Sequence, residues 1–241
     1  MKLYHGTNEA AARRITVGGI APRGRRRGNW GETVESRPDA VYLTNAYAAY
    51  FAYCATKIGK NAAIVEVDTD QLNPYRLVPD EDALAQIAGD DMHPTLAGKT
   101  LIEKTKWFRG RLHKYTGEDQ WRASLDLMGN CCHLGPIPAA AVTRVAIVPY
   151  EIMTSWLYAG FDPTITVANY RYVGSKYRAL HKWVFGDDPG GDVPVERIPL
   201  SEMSPTWPAE MRESIRWSFA LPPEEHRSSI EIIDLRERAH A

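Results

Sequence analysis

The stretch Ala40-Val41-Tyr42-Leu43-Thr44-Asn45-Ala46-Tyr47-Ala48-Ala49-Tyr50-Phe51-Ala52-Tyr53-Cys54 constrains this chain more than any other. Its short apolar run ends in a polar pair and reads as a buried strand, and Asn45 is then placed to cap a helix from about Ala46 to Lys57. The unit carries one tyrosine, Tyr42, on the strand and another, Tyr53, on the helix that follows. The opening Leu3-Tyr4-His5-Gly6-Thr7 has the same form: a strand runs into a histidine and a glycine, and Asn8 starts an alanine-rich helix that closes at Gly18-Gly19. A histidine and a tyrosine delivered at the carboxyl ends of two strands can meet in one cleft.

The remaining chain adds alternating strands and helices. Ala62 to Asp68 reads as a strand; Pro74 and Pro79 punctuate a loop, and Asp80-Glu81-Asp82 reads as a set of capping acids for a helix from about Glu81, not as catalysts. His93 to Leu127 reads as helix broken at Gly110 and Gly117. A turn, a short strand from about Asn130 and a proline-limited turn follow, then a strand ending in Val145-Ala146-Ile147-Val148. Past Tyr150 the pattern turns helical, over Asn169 to Phe185 and Pro208 to Phe219, around a Pro/Gly/Asp-rich loop. The expected organisation is an α+β domain over residues 1–150 and a mainly helical extension over 151–241, packed back on it.

A length of 241 residues with 44% hydrophobic content is ample for a core, and the formal net charge of −1 gives no overall reason to expect a polyanionic partner. The cations are unevenly spread. Arg23, Arg25, Arg26 and Arg27 lie in a Gly/Arg-rich loop, and Lys106, Arg109 and Arg111 interleave with Trp107 and Phe108, a composition suited to phosphates and stacked bases. A solvated loop, and an ordinary buried face made by Trp107, Phe108 and Leu112, are the plain alternatives. Cys54, Cys131 and Cys132 match neither a disulfide framework nor a paired-ligand zinc site, so reduced thiols and no metal are expected. No apolar run of about 18 residues is present and the amino terminus is strand-like, so the expected location is the cytoplasm.

His5-Gly6-Thr7, then Val41-Tyr42-Leu43-Thr44, then Tyr53-Cys54, in that order and spacing, resemble the ADP-ribosyltransferases of the diphtheria-toxin and poly(ADP-ribose) polymerase type. The resemblance covers roughly residues 1–150. It implies a split pair of antiparallel sheets with NAD, as co-substrate, bound in the cleft between them. It also implies roles: His5 and Gly6 hold the ribose and the carboxamide, Thr7 adds a hydroxyl contact, and Tyr42 and Tyr53 sandwich the nicotinamide. The glutamate that completes the family's site has no counterpart here. Asn130 holds the matching position, with Asp126 and then Glu118 as the available acids; an asparagine can hydrogen-bond but cannot act as a base.

The function implied is that of an NAD-dependent mono-ADP-ribosyltransferase, a bacterial or phage toxin or effector that releases nicotinamide and modifies nucleic acid, DNA or RNA. Its layout is similar to that of the DNA-modifying DarT toxins, with an antitoxin as a candidate partner and the arginines and lysines above as phosphate contacts. Three alternatives stay open: a protein acceptor, an RNA 2′-phosphotransferase on the same fold, and a catalytically silent module that binds NAD or nucleic acid. Each residue also has a structural reading, since a histidine after a strand often makes only a local hydrogen bond and tyrosines in such units are mostly core.

Overall fold

Apolar side chains alternate with period two in the central strands, so each strand can carry a core on both faces. The structure, a computed structural model, describes residues 1–25, 36–81, 84–85, 93–114, 117–158, 170–188 and 221–237. The strands are β1 (Lys2–Asn8), β2 (Ala40–Thr44), β3 (Ala62–Asp68), β4 (Leu77–Pro79), β5 (Asn130–Leu134), β6 (Val142–Val148) and β7 (Glu231–Asp234). The helices are α1 (Glu9–Gly18), α2 (Ala48–Cys54), α3 (Leu101–Arg109), α4 (Glu118–Met128), α5 (Tyr150–Tyr158), α6 (Tyr170–Val184) and α7 (Glu224–Ser228). The fold is α+β, as expected. It has one open antiparallel sheet of seven strands in the order β4-β5-β2-β1-β3-β6-β7, with helices against it.

The sheet is continuous but unevenly joined. β1 and β3 stay in register from Lys2↔Asp68 to Asn8↔Ala62, and β2 and β5 from Ala40↔Leu134 to Thr44↔Asn130, whereas β1 and β2 register at Tyr4↔Thr44 alone among the described residues. Two half-sheets, β4-β5-β2 and β1-β3-β6-β7, are thus hinged on a single residue pair.

One face is covered without a break: Leu3, Val41, Leu43, Val65 and Val145 pack with Ile15 of α1 and Trp121 and Leu125 of α4. On the other face the core is in two pieces. Tyr4, Ile64 and Ala146 pack under α2, α5 and α6 through Ala52, Trp156 and Leu180. Ala40, Val78 and Cys132 pack under α3 through Phe108, with Tyr42 against them. Residues paired across antiparallel strands project to the same face, so Tyr4, Thr44 and Asn130 share this face, as do Tyr42 and Cys132. The seam between the two clusters therefore runs over the β1–β2 junction.

Local sequence explains most of the element boundaries. Asn8 Oδ1 accepts the Ala11 N–H at 3.0 Å and caps α1, and Gly110 and Gly117 stand where helical structure stops and restarts. The helix after β2 differs from expectation. Tyr47, not Asn45, occupies its N-cap and makes no side-chain cap bond; Thr44 Oγ1 instead accepts the N–H groups of Ala46 at 3.0 Å and Tyr47 at 2.9 Å. The strand's last hydroxyl thus ties the turn, and the helix is shorter than the sequence suggested.

Past residue 150, β7 extends the sheet beyond β6, a strand the helical pattern did not reveal, while Leu180, Trp183 and Ile230 join the same core as Tyr4. The expected helix from Pro208 to Phe219 lies outside the described residues. No helix among the described residues is long and apolar enough to cross a membrane.

Candidate functional site at the seam of the sheet

His5 and Tyr42 are in contact where β1 and β2 part, through the Tyr42 backbone. His5 is half-buried, and its Nδ1 lies 3.0 Å from the Tyr42 carbonyl oxygen. A carbonyl only accepts, so Nδ1–H is the donor and Nε2 keeps its lone pair. Burial pushes the imidazole pKa down, which holds the ring neutral near pH 7. In this state Nε2 can accept a hydrogen bond but not donate one. The bond also bridges the two half-sheets beside their single registered pair.

Gly6 continues β1 beneath α2. A Cβ there would overlap the Ala48 carbonyl and the Ala52 N–H and would lie 2.8 Å from the Phe51 Cβ. The missing side chain is therefore explained by the close approach of the helix that carries Tyr53, and any ligand contact at Gly6 must come from its backbone. Thr7 is buried opposite Ala63.

The two tyrosines line opposite sides of the seam. Tyr42 packs with the α3-side cluster; its hydroxyl donates to Glu81 Oε1 at 2.6 Å and accepts the Arg37 N–H at 2.9 Å. Burial first, and the Glu81 charge second, push the Tyr42 pKa up, so the phenol stays a neutral donor. Tyr53 packs with the α2-side cluster and stacks on Tyr150, with ring centroids 6.5 Å apart and an interplanar angle of 17°. Each phenol thus packs against a different one of the two clusters on this face.

Asn130 is delivered to the same face by the end of α4. Gly129 takes a left-handed conformation, φ +73°, and its carbonyl accepts the Asn45 N–H at 3.0 Å and the Thr44 hydroxyl at 2.6 Å. Asn130 is buried, and its Oδ1 has no hydrogen-bond partner among the described residues. Such an oxygen costs stability unless something donates to it. Asp126 does not join the group: it is exposed on α4, whose buried side is Trp121, Ser124, Leu125 and Met128. Glu118 is exposed as well and pairs with Arg122.

The basic residues divide. Arg109 reaches Glu81 Oε1 with Nε at 3.4 Å, beside Tyr42. Arg111 donates to the Trp107 carbonyl at 3.1 Å and lies over that indole at 4.3 Å, while Lys106 is exposed. Arg23 is occupied by the Ser36 carbonyl at 2.9 Å, and Arg25 is exposed. Arg26 and Arg27 lie outside the described residues.

Two residues of the seam were missed from sequence. Glu81, expected to cap a helix, begins that helix, since the Leu84 N–H donates to the Asp80 carbonyl at 2.9 Å. Its side chain, however, is fully buried against Tyr42. Acids are ordinary in a first helical turn, so no local pattern distinguishes this one. His181 of α6 lies with its ring centroid 4.1 Å from that of Tyr4; its Nδ1–H donates to the Asn45 carbonyl at 3.1 Å, and its buried Nε2 has no hydrogen-bond partner among the described residues. Burial lowers its pKa to about 3. Only the tertiary fold brings it to β1. Among the described residues, no group of three His, Cys, Asp or Glu side chains is placed to hold a metal ion.

No protein-family model and no curated protein matches this chain. Among solved structures it is similar to EcPltA, at 12% identity and a TM-score of 0.35, over 64% of this chain and 79% of that one. A likeness so distant carries no inference about activity.

Proposed function

We propose that the seam binds the nicotinamide riboside end of NAD and that the protein is a mono-ADP-ribosyltransferase acting on nucleic acid, DNA or RNA. The observation that carries this reading is the hydrogen bond from His5 to the Tyr42 carbonyl at the point where β1 and β2 part. It joins the histidine and tyrosine motifs at one place, with Tyr53 on the helix that crosses Gly6 and Asn130 one strand beyond β2 on the face that carries Tyr42.

In the proposed reaction a lone pair on the acceptor forms a bond to the anomeric carbon, and the bond from that carbon to the ring nitrogen breaks. The electron pair leaves with neutral nicotinamide. The acceptor's proton passes to solvent water, since Asn130 cannot take it and can only hold a hydroxyl or amide in place. The tyrosines fix the leaving ring, and neutral His5 orients the sugar by accepting a hydrogen bond from one of its hydroxyls. Arg25 and Lys106, both exposed, are the cations assigned in this reading to acceptor phosphates. An antitoxin partner and a toxin role belong to the same reading.

The test incubates the protein with labelled NAD and separate pools of DNA, RNA and protein, comparing wild type with Tyr42→Ala and Asn130→Ala. Label in a nucleic-acid pool that disappears with Tyr42→Ala is the expected result; binding to that nucleic acid should weaken steeply with added salt. Label in the protein pool alone would move the acceptor to protein. Absence of both label and free nicotinamide would remove the enzymatic reading.

A further inference from the structure

The seam lacks a carboxylate at the position sequence would assign, yet it holds one that arrives from another direction. Glu81 is fully buried at the Tyr42 hydroxyl. Its Oε1 accepts the phenol O–H at 2.6 Å and faces Arg109 Nε at 3.4 Å, whereas its Oε2, also buried, has no hydrogen-bond partner among the described residues. An ionised carboxylate has about four acceptor directions. Leaving one oxygen dry and bare inside a protein is costly unless a donor arrives. The residue before Glu81 is tied on both sides: the Asp80 N–H donates to Ser124 Oγ at 3.2 Å and its carbonyl accepts the Leu84 N–H at 2.9 Å.

We infer that Glu81 is a substrate-binding carboxylate of this site, with Oε1 fixing the Tyr42 ring and Oε2 accepting an N–H or O–H donor of the bound ligand. This rests on the proposed function above. In a ligand whose ring lies against Tyr42, two donors lie close to that ring: the carboxamide N–H groups and the 2′-hydroxyl of the attached ribose. Both offer the same chemistry to Oε2. Each would form a charge-assisted bond, which is stronger than a neutral one and tolerates no anion in its place. Neither Asp126 nor Glu118 has a comparable position, since both are exposed on α4.

The experiment measures equilibrium binding to wild type and Glu81→Gln of three ligands. These are NAD, the dinucleotide with nicotinic acid in place of nicotinamide, and NAD with fluorine in place of the 2′-hydroxyl on the nicotinamide ribose. The glutamine keeps an oxygen for Tyr42 and removes the charge. Wild type is expected to bind one of the two analogues at least tenfold more weakly than NAD, and Glu81→Gln should bind NAD about tenfold more weakly with that discrimination largely gone. The analogue affected identifies the donor, and the loss of coupling in the cycle is a signature that a purely structural role would not give. Wild-type binding of NAD with Glu81→Gln unchanged in affinity and discrimination would overturn the role of Glu81 alone. Failure of wild type to bind NAD would overturn the proposed function and this inference together. Should Glu81→Gln fail to fold, the wild-type arms decide: equal binding of all three ligands overturns the inference.

Discussion

Two buried acids in this molecule sit beside arginines, and they differ in how completely they are satisfied. Glu66 on β3 accepts from Thr143 Oγ1 at 2.6 Å, from Arg144 Nε at 2.9 Å and from Arg144 Nη2, and Arg144 goes on to Asp187 at 2.8 Å and the Phe185 carbonyl at 3.3 Å. Among the described residues Glu81 has one close donor, the Tyr42 hydroxyl, a longer approach to Arg109, and a second oxygen with no hydrogen-bond partner. Both are fully shielded from solvent. A saturated buried pair has nothing left to offer a ligand and serves to lock elements together; here it fixes the segment after α6 to the central sheet. A buried acid with an oxygen left over keeps its capacity for binding, and this one lies at the Tyr42 hydroxyl.

The comparison can be broken most directly at the saturated pair. Arg144→Ala should cost about 3–5 kcal/mol, because it strands Glu66 without its charge partner. Urea unfolding would show this as a large drop in midpoint, and a loss below about 1 kcal/mol would mean that the pair locks nothing.

A second bare acceptor, His181 Nε2, extends the comparison to pH. The folded pKa, about 3, lies below the ordinary value of 6.5, so below 6.5 the unfolded chain takes up a proton that the folded one refuses. Stability from this residue is full above pH 6.5 and falls as pH drops towards 3, by up to about 1.4 kcal/mol per pH unit. The lowered pKa of His5 adds in the same direction. His181→Gln should flatten the curve of unfolding free energy against pH in that window; an unaltered curve would show that the ring is not held neutral.

Tyr42→Phe sharpens the distinction from the other side. It removes the one close donor to Glu81 and should cost about 1 kcal/mol in urea unfolding while weakening NAD binding. Full stability together with full binding would make the Tyr42–Glu81 contact incidental. The smallest effect is expected at Asp126→Ala, within about 0.5 kcal/mol of wild type and with label transfer unchanged, since the side chain is exposed. A large loss of transfer in that variant would return the acid role to α4.

Much of the fold was legible because it rests on local rules. The strand and cap at Leu3–Asn8, the Tyr42 strand, the strand over Ala62–Asp68 and the helix breaks at Gly110 and Gly117 all follow from apolar alternation, side-chain capping and glycine. That the two motif strands lie side by side follows from the same rules, and His5 reaches the Tyr42 backbone across them. The length of α2 was misjudged because Thr44 and Asn45 are both competent caps, and only the geometry of the turn chooses between them.

By itself, then, the sequence determined which residues lie on strands and where most helices begin and end. The tertiary structure alone decided that β7 joins the sheet, that His181 packs against Tyr4, and that Glu81 turns inward to Tyr42. The division has a physical cause. Propensity and capping act over a few residues, whereas the partner of a buried charge or ring is set by packing between segments far apart in the chain, where neighbouring residues carry no signal of it.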